Sequence, residues 1–221
     1  MSILRAVIFD LDGVLVTTDR FHYLGWKKLS DELDIVFDES VNHRLRGVSR
    51  EESLKLIYRH NGRPLPQHEE FVRQCAVKNE YYKRYVGAMT PDDVLPGSLA
   101  LLDGLRASEI RCAVASSSKN AGVVLERTAL RSYFDAVSDG NGISKSKPDP
   151  EVFLKASALL GVPCGDCIGA EDADAGVTAI RRAGMVSVGI GEQGGKADYA
   201  AGSVGALSVT ILREVFSRFR T

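Results

Sequence analysis

Short apolar runs alternate along the chain with stretches whose apolar residues recur every three to four positions. Leu4–Phe9, Arg111–Ala115, Asp135–Val137, Cys167–Gly169 and Val186–Ile190 are brief and bounded by Gly, Ser or Asp, the pattern of strands buried on both faces. Between them lie helical patterns. Val152, Phe153, Ala156, Leu159 and Leu160 share one face, with Asp149 as N-cap and Pro150 at the first position. Val177 and Ile180 mark a second helix ending near Gly184; Ile211, Leu212, Val215, Phe216 and Phe219 mark the last. This alternation predicts an α/β fold with a doubly wound parallel sheet.

One segment departs from it. Between the first strand and Met89 no strand pattern occurs, and three or four helical patterns take its place. His22, Trp26, Leu29 and Leu33 fall on one face; Phe71, Cys75, Lys78, Tyr82 and Tyr85 on another. Ser49 and Glu52 have the spacing of a capping box, opening a helix with Leu54, Ile57 and Tyr58. The expected organisation is an α/β core of residues 1–15 and 90–221 and a helical cap of residues 16–89, hinged near Val14–Thr18 and Ala88–Leu95.

Composition narrows the class without changing this picture. With 44% hydrophobic and 26% charged residues in 221, the chain can bury a core and is not a disordered polymer. A net charge of −1 gives no footprint for nucleic acid, so an acidic substrate must be met by a local cluster of donors. No apolar run approaches the roughly 18 residues of a membrane span. Asp10 and Asp12 interrupt the apolar N-terminal stretch where a signal peptide needs continuity, so a cytoplasmic protein is expected. Cys164 and Cys167 spell C-x-x-C but precede a strand rather than a helix, and no second Cys or His pair completes a zinc site, so a structural role is expected. Gly189, Gly191 and Gly194 match G-x-G-x-x-G, yet follow the last strand and open no apolar-periodic helix, which argues against a dinucleotide site.

The chemistry gathers at strand ends, where parallel α/β sheets bind ligands. Asp10 and Asp12 close the first strand; two apart on an extended chain, their carboxylates are expected to converge. Burying both without a partner is costly, which a metal ion and a reactive role would answer. After the second strand, Ser116, Ser117, Ser118 and Asn120 place hydroxyls and backbone N–H groups at a helix start, as phosphate binding requires; capping alone would use the same residues. After the third, Pro148 stiffens the approach to Lys147, which can then serve as a fixed counter-charge; Lys145 competes but precedes no rigid residue. Glu171 and Asp172 close the fourth, and with Asp10 and Asp12 they supply hard oxygen ligands suited to Mg²⁺. In the cap, His22 sits near the first hinge, where an acid–base helper is favoured over a core histidine. Lys78 interrupts an aromatic face, which favours a role toward substrate. A tryptophan such as Trp26 is more often packing than sugar stacking, and both readings stay open here.

Acid, hydroxyl, lysine and acid in this order resemble the four motifs of the haloacid dehalogenase superfamily of aspartyl-phosphate phosphotransferases, over nearly the whole chain. His22, Trp26, Arg46–Glu51 including Gly47 and Ser49, Val77–Asn79, Ser116–Asn120 and Leu125–Arg127 look most like its β-phosphoglucomutase family. The resemblance implies a Rossmann-like core and interconversion of β-glucose 1-phosphate and glucose 6-phosphate through a 1,6-bisphosphate. It implies Asp10 as nucleophile, Asp12 as general acid–base holding Mg²⁺ through its carbonyl, and Ser116 and Lys147 on the transferring phosphoryl. Arg50, Ser118 and Asn120 would hold the distal phosphate. Ala173 stands where a polar residue is common, and Arg46 where a lysine is. The partner would be a small phosphorylated sugar, the protein a monomer with no nucleic acid or membrane. Three other readings remain: a phosphatase sharing all four motifs, a phosphonoacetaldehyde-type hydrolase using Lys27, Lys28 or Lys78 as a Schiff base, and a non-catalytic phosphosugar sensor.

Overall fold

The central strands consist wholly of residues shielded from water, which only a parallel sheet covered on both faces provides. In the computed structural model, which describes residues 3–45, 48–191 and 196–220, the chain divides into two compact units, residues 1–17 with 90–221 and residues 18–89. The first unit holds a six-stranded parallel sheet. Its strands are β1 (Ala6–Phe9), β2 (Arg111–Ala115), β3 (Ala136–Ser138), β4 (Cys167–Glu171), β5 (Val186–Ile190) and β6 (Tyr199–Ala201). They lie in the order β3-β2-β1-β4-β5-β6. Chain order reverses beside β1, so the crevice at the carboxyl ends of β1, β2 and β4 is the topological switch point.

The helices of this unit are α5 (Ser98–Ala107), α6 (Ala121–Arg127), α7 (Glu151–Leu160), α8 (Asp174–Arg182) and α9 (Val209–Phe219). Val152, Phe153, Ala156 and Leu160 of α7 pack with Ala6, Ile8, Ala113 and Ala115 of the sheet. Leu159, expected on that face, is 55% exposed. The start of α7 also lies a residue later than expected: Pro150 is the N-cap, and the Asp149 carboxylate accepts the Glu151 N–H. Asp135, expected in β3, precedes it, and its carboxylate accepts the Cys112 N–H. β6 has no counterpart in the apolar pattern, because Tyr199-Ala-Ala is a three-residue strand with only Ala201 buried. The first unit reaches two residues beyond its expected boundary. Val16 bridges to both Asp12 and Val94, and Leu15 O accepts the Leu95 N–H, so this stretch pairs with the sheet-bearing unit.

Among its described residues the second unit contains four helices: α1 (Asp19–Glu32), α2 (Glu39–His43), α3 (Arg50–His60) and α4 (His68–Val86). Its core unites Trp26, Leu29, Ile35, Phe37, Leu54, Ile57 and Tyr58. The expected capping box of α3 is half made: the Ser49 hydroxyl accepts the Glu52 N–H, while the Glu52 carboxylate pairs with Lys55. Among the described residues no helix is long and apolar enough to cross a membrane.

Candidate active site

The register of three strands assembles the site. Phe9 lies level with Val114 of β2 and Ala170 of β4. Asp10, Ser116 and Glu171 therefore emerge within a residue or two of one another at the same sheet edge. Asp10 remains tied to β4, its N–H donating to Ala170 O at 2.8 Å. Lys147, on the loop after β3, reaches the same point: its Nζ donates to Asp10 Oδ1 and, at 2.7 Å, to Glu171 Oε2. Its side chain is 9% exposed, whereas that of the competing Lys145 is 71% exposed and pairs with Asp149.

Asp10, Glu171 and Asp172 each offer a carboxylate oxygen, all within 4.8 Å of one another. Asp12 does not join this cluster through its side chain. The chain leaves the strand at Asp10, so the two-residue alternation that predicted convergence does not continue. Instead the Asp12 backbone N–H donates to the Asp10 carboxyl group. Burial, joined by the charge of Glu171, pushes Asp10 up to about 7 against the pull of Lys147. Burial and the charge of Asp10 push Asp172 up to about 6. Burial alone would lower the Lys147 pKa, but the two carboxylates outweigh it and hold the lysine firmly charged. Three acids against one lysine leave negative charge uncompensated in a buried site. With only hard oxygen donors present, the set fits Mg²⁺.

Glycines make this approach possible. Gly13 has φ +81°, and a Cβ there would stand 2.0 Å from Asp172 Oδ2. A Cβ at Gly176 of α8 would stand 1.9 Å from Glu171 Oε2. The other oxygen of Glu171 accepts the N–H groups of Asp172 and Ala173 at 3.2 and 3.3 Å, so the departure at Ala173 leaves a backbone donor in place.

Beyond β2 the chain folds into two successive side-chain turns: Ser116 Oγ accepts the Ser118 N–H at 3.1 Å, and Ser118 Oγ the Asn120 N–H at 3.2 Å. Ser116 and Asn120 are buried, and Ser117 is exposed.

In the helical unit, Lys78 is 2% exposed, with Nζ 3.0 Å from His22 Nδ1 and under 5 Å from the rings of Trp26 and Tyr82. An ammonium only donates, so Nδ1 accepts. Burial, then the charges of Lys78 and Arg50, hold the His22 pKa well below its ordinary value. Trp26 is 2% exposed and belongs to the unit's core. The Arg50 guanidinium donates to Asn79 Oδ1 at 2.7 Å, a neutral partner. Arg46 and Gly47 lie outside the described residues, as does Gly194 of the glycine-rich run.

The cysteines are all free. Cys167 opens β4 at the strand end opposite the acids, and burial pushes its thiol up to about 12. Two supporting groups escaped the sequence reading. The Glu151 carboxylate accepts the Ser144 N–H and hydroxyl and the Lys145 N–H, each at 2.8 Å. Arg182 donates to Pro148 O at 3.0 Å. Both brace the segment bearing Lys147; only the acid's place one turn after Pro148 hinted at it.

Residues 4–184 match the model of the haloacid dehalogenase-like hydrolase family. The chain is 40% identical to a β-phosphoglucomutase of Bacillus subtilis, covering 98% of this chain and 97% of that one. It superposes on a β-phosphoglucomutase of Clostridium difficile with a TM-score of 0.92, at 36% identity over 98% of this chain and 99% of the other. It is also 27% identical to a phosphorylated carbohydrates phosphatase of Thermotoga maritima, over 96% of this chain and all of that one.

Proposed function

The chain belongs to the haloacid dehalogenase-like hydrolase family, and on that premise we propose that it moves a phosphoryl group through an aspartyl phosphate on Asp10, interconverting β-glucose 1-phosphate and glucose 6-phosphate by way of the 1,6-bisphosphate. The observation that carries the reading is Lys147 clamped between Asp10 and Glu171, with Asp172 beside them. A sensor of phosphosugars would have no use for a nucleophile so supported.

Asp10 attacks phosphorus as the bond to the sugar oxygen breaks. Asp12 gives a proton to that oxygen as glucose 6-phosphate leaves, then takes one from the 6-hydroxyl of an incoming β-glucose 1-phosphate as that hydroxyl attacks the aspartyl phosphate and the Asp10–phosphorus bond breaks; the bisphosphate so formed turns round for the next transfer. Lys147, held charged, offsets charge on the phosphoryl oxygens, and Ser116 donates to them. Asp10, Asp172 and the Asp12 carbonyl would hold Mg²⁺, with Glu171 directing Lys147. When bound, the ion neutralises the carboxylates and the phosphoryl oxygens. Arg50, Ser118 and Asn120 hold the phosphate that does not react; a fixed fork on a neutral partner suits an anion.

The second reading, a sugar-phosphate phosphatase, is favoured by the Thermotoga relative. Phosphorus NMR of β-glucose 1-phosphate with catalytic 1,6-bisphosphate and Mg²⁺ separates the two. Growth of the glucose 6-phosphate resonance supports the mutase, and inorganic phosphate alone supports the phosphatase. Excess chelator is expected to stop either reaction.

A further inference from the structure

The loop from Ser116 to Asn120 carries the groups assigned to phosphate, and beyond its own two side-chain turns it is held from outside. Ser117 and Lys119 are exposed. Its support comes from the turn after β3. Ser116 N–H donates to Ser138 O at 3.0 Å, continuing the pairing of β2 with β3 by one residue. Gly140 N–H donates to Ser118 O at 3.2 Å. The Asn141 amide divides its two protons between Lys119 O at 3.0 Å and Asp139 Oδ2 at 3.1 Å. The Asn141 N–H donates to Asp139 Oδ1 at 2.9 Å, so the turn is itself braced. Gly140 lies so close that a Cβ would stand 2.4 Å from Ser117 O and 3.0 Å from Lys119 N. It has no positive φ, so the demand for glycine there comes from the loop it touches and not from its own backbone.

The contacts divide the loop. Ser116, assigned to the transferring phosphoryl, is anchored by the sheet. Ser117, Ser118 and Lys119, leading to Asn120, are anchored by Gly140 and Asn141. We propose that Gly140 and Asn141 are positioning residues that set the affinity for the distal phosphate by fixing the Ser117–Asn120 half of the loop, while leaving phosphoryl transfer to Asp10 unaffected. The inference rests on the assignment of Ser118 and Asn120 to that phosphate.

The test uses the full chain with Mg²⁺ and two phosphoryl donors. Glucose 1,6-bisphosphate needs the distal site, and acetyl phosphate, with a single phosphate, does not. Asn141→Ala, at an exposed position, is expected to raise the apparent constant for the bisphosphate about three- to tenfold, the worth of one or two net hydrogen bonds. Gly140→Ala is expected to do so by more, because it displaces the loop. Neither is expected to change the rate of Asp10 phosphorylation by acetyl phosphate. Circular dichroism establishes that each variant is folded; should Gly140→Ala unfold, Asn141→Ala alone decides. Ser118→Ala is the reference. If it weakens bisphosphate binding while the Gly140 and Asn141 variants do not, the inference is overturned and the assignment stands. If Ser118→Ala has no effect, the assignment fails and the inference with it. Equal losses with both donors would also overturn the proposal, since the turn would then support Ser116 as well.

Discussion

Asp10 and Asp172 carry the largest local imbalance. Asp10→Asn keeps the shape and removes the proposed nucleophile, so phosphoenzyme is expected to disappear and turnover to fall by about 10³-fold or more, read by ³²P incorporation and by initial rate. The acids also leave a mark on stability. In metal-free protein the folded pKa values of Asp10, about 7, and Asp172, about 6, exceed the ordinary 3.8. Between pH 4 and 7 the folded state then binds more protons than the unfolded one, so these groups cost stability as pH rises through that window. Asp172→Asn removes one of them. Its melting temperature in chelator is expected to exceed that of the natural chain by a few degrees at pH 7.5, with the gap closing toward pH 4.5. A gap independent of pH would mean that the Asp172 carboxyl is not strained by its neighbours. Of these residues, the acids and Ser116 were legible in the sequence because they close apolar strands, and Lys147 because the rigid Pro148 follows it on the loop after β3. Which atoms meet was not, since the position of Asp12 depends on where β1 stops.

At the scale of elements, continuous apolar runs announced five of the six strands, while β6, with one buried residue, carries no such signal. The turn from β1 is the element on which the site depends most. Its Gly13 combines φ +81° with the place where the Asp172 carboxylate comes to rest. Gly13→Ala must distort the backbone and push Asp172 away together. Mg²⁺ affinity is expected to fall about 10–100-fold, the scale of losses when a ligand's support is removed. Titration followed by calorimetry measures it, and circular dichroism checks that the sheet persists. The contact of Gly13 is with a residue 159 positions away along the chain, which no local pattern encodes.

On the proposed mutase reading the whole molecule does what a phosphatase need not: it holds one phosphate without reacting with it while the other is transferred. A mutase binds its bisphosphate in two orientations, so the distal anchor must recognise phosphate by a fixed fork of donors and present no nucleophile. Arg50 meets this requirement within its own unit. It opens α3 behind the Ser49 cap, is partly buried, and donates to Asn79, a partner that orients the guanidinium without neutralising it. Burial lowers its pKa from the ordinary value but leaves a guanidinium charged at neutral pH. Arg50→Ala removes a charge-assisted contact, so the apparent affinity for glucose 1,6-bisphosphate is expected to fall about 10–100-fold. Arg50→Lys restores charge but not the fork and is expected to recover only part of it. The proposed aspartyl phosphate is assigned to Asp10, Lys147 and their neighbours, so its formation from a small donor is expected to survive. With the bisphosphate held less well, water captures more of the phosphoenzyme. The measured ratio of isomerised sugar to released phosphate is therefore expected to drop in Arg50→Ala at saturating Mg²⁺. An unchanged ratio together with unchanged bisphosphate affinity would remove Arg50 from the distal site and favour the phosphatase reading of the whole chain.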